Sequence, residues 1–170
     1  MNESRLLSEQ TLAWQIGQVA RVAQATPPGR GPVLVTGPTW QSRTQLLRAV
    51  AEKLDYYYLA LSLPLARSLQ EMPERRRSLA LAETIDTLIT PPRGRAWRGC
   101  ALDQIELLFL PELQANVYGL LQRLGREQPL LVAWPGSYRQ GRLAYAPPGH
   151  AEHQSQRVGP IPCIHSEESA

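Results

Sequence analysis

Gly37-Pro-Thr-Trp-Gln-Ser-Arg-Thr44 decides the reading of this chain through what flanks it. The short apolar run Val33-Leu-Val35 precedes it, as expected of a buried strand, and Leu46, Leu47, Val50, Ala51 and Leu54 follow at helical spacing. Strand, glycine loop and helix in that order make a phosphate-binding βα unit. In the pattern G-x-x-x-x-G-K-[ST], backbone N–H groups wrap the phosphates, the lysine neutralises β and γ oxygens, and the hydroxyl ligates Mg²⁺. Gly37 and Thr44 keep the first and last of these positions, whereas Ser42 and Arg43 stand where glycine and lysine belong. Gly37, Pro38, Thr39, Trp40, Gln41, Ser42, Arg43 and Thr44 are therefore the candidate contacts for ATP or ADP with Mg²⁺. Ser42 adds a Cβ where glycine lets backbone approach phosphate. Arg43 keeps the charge on a longer, forked side chain. Both changes predict weak or structural nucleotide binding and poor hydrolysis, from a helix beginning near Ser42 whose N-terminus still favours an anion.

Working outward, Ser8 is a candidate N-cap for a first helix over residues 8–25, ended by Thr26-Pro-Pro-Gly-Arg-Gly-Pro32. Tyr56-Tyr-Tyr-Leu-Ala60 reads as a second strand. Leu63 to Ile89 reads as two helices broken near Pro73. Cys100-Ala-Leu-Asp103 is a third strand, Pro111 opens a helix through Leu124, and Leu130 to Trp134 is a fourth strand. Arg142-Leu-Ala-Tyr145 offers a fifth. Strands alternating with helices predict an α/β domain, a mostly parallel sheet covered on both faces. With the loop it reads as P-loop NTPase-like, of the ASCE/AAA class, over residues 1–153. Residues 154–170 lack apolar periodicity and read as a disordered tail.

Asp103, at a strand end, has the position of a Walker B carboxylate, so Thr44 and Asp103 form the candidate Mg²⁺ pair. Glu106 is the candidate for polarising water, since Gln104 stands directly after the aspartate. Arg126, near the end of the helix before the fourth strand, is the candidate finger supplied in trans; a cation there also complements the helix dipole, as does neighbouring Arg123. Trp134-Pro135 occupies the place where a polar sensor often sits.

The net charge is +3 with Lys53 the sole lysine, too small an excess for a large binding field. Arg75, Arg76, Arg77, Arg93, Arg95 and Arg98 are the residues for DNA contact, with Trp97 as a stacking neighbour; a solvated helix face accounts equally for such a run. Two distant cysteines argue against a disulfide framework, and no apolar run approaches ~18 residues, so a cytoplasmic protein without membrane spans is expected. His150, His153, Cys163 and His165 supply metal-binding residue types but no second compact pair.

Residues 100–136, CALDQIELLFLPELQANVYGLLQRLGREQPLLVAWPG, followed by 142–153, RLAYAPPGHAEH, resemble the BrxF family of small P-loop proteins from BREX anti-phage defence systems. The likeness lies in the LDxIELLF-PEL region, a strand ending AWPG and the closing PGH segment, and extends over roughly residues 30–153. It implies an accessory defence component, its nucleotide-binding fold without a separate lid domain, that assembles with itself or other BREX proteins. It implies P-loop roles for Gly37 and Thr44 and a Walker B role for Asp103. Two alternatives stand beside it: a working ATPase with Arg43 in place of lysine, and a DNA-contacting adaptor.

Overall fold

The computed structural model describes residues 2–166. In chain order its elements are α1 (Asn2–Ala25), β1 (Val33–Thr36), α2 (Trp40–Leu54), β2 (Tyr56–Ala60), α3 (Ser62–Gln70), α4 (Glu74–Ile89), β3 (Gly99–Asp103), α5 (Val117–Glu127), β4 (Leu130–Ala133), β5 (Ser137–Arg139), β6 (Arg142–Tyr145), β7 (Gln154–Arg157) and β8 (Cys163–His165). The central sheet runs β2-β3-β4-β1-β8, every neighbouring pair parallel.

Alternation along the central strands sends side chains to two separate cores. Val33, Val35, Leu131, Ala133 and Ala101 pack with Val19 of α1 and Leu46, Leu47 and Val50 of α2. Leu34, Cys100, Leu102, Leu130 and Val132 pack with Leu65 of α3, Ile85 of α4 and Leu121 of α5. A strand buried on both faces reads as a continuous apolar run, which is why β1, β3 and β4 were visible in the sequence. The chain is therefore α/β, with a mostly parallel sheet flanked by helices.

Several elements depart from expectation. α1 starts at Asn2 and runs through Ser8, so the helix begins earlier than the expected cap. Pro111 opens only a single 3-10 turn, Pro111–Leu113, because Gln114 enters the left-handed region at φ 49°; α5 starts later, with Asn116 Oδ1 accepting from Gly119 N at 3.0 Å. Arg142–Tyr145 does not extend the central sheet. It is the middle strand of a small antiparallel sheet, β5-β6-β7, turned by Gln140 and Gly141 at φ 49° and 73°, the two positive values that suit a hairpin's right-handed twist.

The expected tail over 154–170 is built into the fold up to residue 166. β7 pairs with β6, Leu143 opposite Gln156, and β8 lies beside β1, Leu34 opposite Cys163. β7 is an outer strand with polar side chains, held by backbone pairing, so composition carries no trace of it. Residues 167–170 of that stretch lie outside the described residues.

The AWPG segment joins the two sheets. Trp134 is buried, donates from Nε1 to the Ala144 carbonyl at 3.0 Å, and meets Phe109 edge-on at 5.4 Å. Gly136 passes so near β6 that a Cβ there would lie 1.8 Å from the Ala144 oxygen.

Candidate functional site

β1 delivers the chain to the C-terminal edge of the sheet, where only Gly37, Pro38 and Thr39 separate strand from helix. α2 begins at Trp40, earlier than the expected start near Ser42, because Thr39 is its N-cap: the Ser42 amide donates to Thr39 Oγ1 at 3.2 Å. The Arg43 amide turns to Thr39 O at 3.4 Å. Pro38 has no N–H to offer. Gly37 to Thr44 is thus a three-residue turn feeding a helix, and the amides that helix geometry leaves open belong to the first turn, at Trp40 and Gln41.

Arg43 folds back over this turn. Its Nη1 donates to the Gly37 carbonyl at 3.0 Å and its Nη2 lies 3.9 Å from Glu106 Oε1. Only 8% of the residue is exposed. Ser42 Oγ donates to Thr39 O at 3.0 Å and stands 3.2 Å from Ser166 Oγ. Ser166, fully buried just after β8, donates its amide to Thr36 O at 2.6 Å. Its hydroxyl lies 1.8 Å from the place a Cβ on Gly37 would take, so glycine is required there and the space beside it is filled.

Asp103 is the centre of a second cluster. β1 and β3 are not neighbours, since β4 lies between them; α2 bridges the gap. Thr44 Oγ1 donates to Asp103 Oδ2 at 2.6 Å, Tyr58 OH donates to the same oxygen at 2.7 Å, and the Gln104 amide donates to Oδ1 at 2.8 Å. The carboxylate is 4% exposed, and these three donors supply the stabilisation that burial removes. Burial pushes the Tyr58 phenol up to about 12, the nearby Arg48 pulling it down and Asp103 pushing it further up. Arg48 sits 4.9 Å over the Tyr58 ring.

A hydroxyl and a carboxylate in contact are hard oxygen donors suited to Mg²⁺. In donor type the metal half suits such an ion, with Oδ2 taken by Thr44 and Tyr58 in this arrangement. The phosphate half is obstructed in this arrangement, because Arg43 is engaged by Gly37 and Ser166 sits beside the turn.

The other expected residues are scattered. Glu106 opens the 3-10 turn Glu106–Phe109, its side chain 43% exposed and facing Arg43. Gln104, at φ 51°, bends the chain straight after Asp103. Its carbonyl accepts the Ser62 amide at 3.0 Å, seating α3. Arg126 lies in the last turn of α5, whose Gly125 packs against Gly31 ahead of β1. That is the N-terminal edge of the sheet, opposite to Gly37 and Asp103, so within one molecule Arg126 cannot reach the turn. Arg123 pairs with Asp86 at 2.7 and 3.2 Å. Trp40 and Gln41 project from the start of α2, Trp40 58% exposed.

The arginines expected to form one basic stretch form two. Arg75 and Arg76 begin α4, and Arg77 Nε donates to Leu69 O at 3.0 Å at the end of α3. Arg93, Arg95 and Arg98 follow the opposite end of α4, roughly 20 Å away at 1.5 Å per residue. His165 Nδ1 meets Thr36 Oγ1 at 3.1 Å, while His153 Nδ1 meets the Ala146 carbonyl at 2.9 Å. Among the described residues no group of three His, Cys, Asp or Glu side chains is placed to hold a metal, and no helix is long and apolar enough to cross a membrane.

Tyr58, Arg48 and Ser166 carry the site's geometry without having been singled out in the sequence. Register gives a signal for Tyr58, since Ala60 pairs with Asp103 and Tyr58 stands two residues earlier on the same face. Nothing in the sequence marks Ser166. No family model, curated protein or solved structure matches this chain.

Proposed function

We propose that this chain is a P-loop-like domain of the ASCE/AAA type serving as an accessory component of a BREX phage-defence system. It acts by assembling with itself or with other BREX proteins, and ATP or ADP with Mg²⁺ is bound weakly or as a structural element. Two features support the class: β4 stands between the loop-bearing strand and the carboxylate-bearing strand, as the additional strand of that class does, and Thr44 meets Asp103. The resemblance of residues 100–136 and 142–153 to the BrxF family supports the setting.

One observation carries the loss of turnover: Arg43 donates to the Gly37 carbonyl, so the charge expected to serve β and γ phosphates is used inside the turn. Isothermal titration with ATP and Mg²⁺, followed by a phosphate-release assay, tests this. The expected result is affinity no tighter than about 1 mM, some 4 kcal/mol of binding, with release at background. The double variant Ser42→Gly, Arg43→Lys should then bind at least about tenfold more tightly, a gain of about 1.4 kcal/mol. Micromolar binding with turnover by the unaltered chain would favour the working ATPase. That reading needs a neighbouring subunit to bring Arg126 across, so its activity would rise with protein concentration. Copurification with BREX proteins tests the assembly.

A further inference from the structure

Beside the Asp103 cluster, with which it shares Arg48 and Tyr58, an aromatic surface runs along the outer edge of β2. A groove of about 340 Å³ wraps that edge, bordered by Arg48, Tyr57, Tyr58, Arg95 and Trp97 together with Asp55 and its neighbours. Tyr57 and Trp97 stand with ring centres 5.8 Å apart and planes tilted by 50°. The Arg95 guanidinium lies 3.9 Å over the Trp97 ring and is held there by an ion pair with Asp55. β2 ends the central sheet on this side, so no further strand covers it.

Charge is concentrated at the same place. Arg48 and Arg95 border the groove, and the Arg98 amide donates to the Asp55 carbonyl at 3.0 Å, which brings that arginine to the same edge; Glu52 and Asp55 are the carboxylates beside them, with Asp103 bonded to Tyr58. Asp55 is already engaged by Arg95. Flat rings that take a base face, beside guanidinium groups that take phosphate, are the means by which proteins hold unpaired strands. A duplex hides its base faces and has no use for Tyr57 or Trp97.

We infer that the β2 edge binds single-stranded nucleic acid, with bases on Tyr57 and Trp97 and phosphates on Arg48, Arg95 and Arg98. The inference stands independently of the nucleotide reading of Gly37–Thr44. It also moves the expected nucleic-acid contact away from Arg75, Arg76 and Arg77, which lie at the other end of α4.

Fluorescence anisotropy with labelled oligothymidine, oligouridine and a DNA duplex, each of about 15 nucleotides, tests it. The unaltered chain should bind at least one single strand roughly tenfold more tightly than the duplex, with the affinity falling as salt rises. The two single-strand probes decide between DNA and RNA. Trp97→Leu and Tyr57→Leu should each weaken binding by about five- to one-hundred-fold. Arg98→Ala, an exposed position, tests the site without disturbing packing and should lower the salt slope by about one. The pair Arg75→Ala, Arg76→Ala should leave binding unchanged. Absence of strand binding, binding of duplex as tight as strand, or loss confined to the Arg75 and Arg76 variant would each overturn the assignment.

Discussion

At the scale of single residues, Asp103 is a buried group with every contact committed. A carboxylate 4% exposed is tolerable only while donors face it, and it holds Thr44, Tyr58 and the Gln104 amide together from three elements. Asp103→Ala leaves those donors without their acceptor in a buried place. The cost should be about 2–4 kcal/mol, read as a lower urea midpoint at unchanged slope. Thr44→Val, which removes one donor and leaves the carboxylate two, should cost about 1–2 kcal/mol. If Asp103→Ala unfolds at the same midpoint as the unaltered chain, the carboxylate is not what joins α2 to β3. The nearby Arg43 spends both arms of its fork inside the site, Nη1 on the Gly37 carbonyl and Nη2 beside Glu106.

Among the elements, the division between what could be read and what could not follows from where each gets its stability. β1, β3 and β4 are buried on both faces and announce themselves as apolar runs; α3 and α4 are separated by Pro73, and α2 carries its apolar face at helical spacing. β6 was legible as a strand, its Leu143 being buried in the core, but its sheet was not; β5, β7 and β8 depend on backbone pairing and on a two-residue turn, for which side-chain composition gives little signal. The candidate site divides in the same way. Thr44 and Asp103 were legible because a motif fixes their spacing to strand ends. Tyr58 and Ser166 reach the site through register and through β8, which no local pattern predicts. The fate of β8 gives a direct test. Ending the chain after Gly159 removes a strand that pairs with β1 over Leu34 to Thr36 and removes Ser166 from Gly37. A tail would be dispensable. Instead the shortened protein should lose at least about 2 kcal/mol of stability, from exposed apolar area and lost pairing. It should also elute as larger species in size exclusion, because the freed edge of β1 offers unpaired backbone groups. A shortened chain that remains monomeric with an unchanged melting temperature would contradict the placement of β8.

The whole molecule responds to pH through groups that the sheet and its helices keep out of water. Burial is the leading cause at each: it pushes Tyr58 up to about 12 from 10.0, Cys100 up to about 12 from 9.0, and raises Tyr56, Tyr118 and Tyr145 as well. These are acids whose neutral form the fold prefers, so the unfolded chain gives up its protons first as the solution becomes alkaline. The contribution of each group is complete below its unfolded value and disappears as the pH climbs through the folded one. Stability should therefore be level from pH 7 to about 9, decline once the Cys100 thiol ionises in unfolded chains, and fall more steeply between about 10 and 12 as the tyrosines join. Urea midpoints taken across that range, with tyrosinate absorbance at 295 nm followed in parallel, check both the direction and the window. Unfolding and the absorbance of the buried phenols should rise together, since the phenols gain access to hydroxide as the packing opens. Tyr58→Phe, which cannot ionise, should make the decline shallower while losing the bond to Asp103 at every pH. Should Tyr56, Tyr58, Tyr118 and Tyr145 ionise at the ordinary phenol value with the helical signal intact, these phenols face water in the native protein and the packing of β2 and α5 described above is wrong.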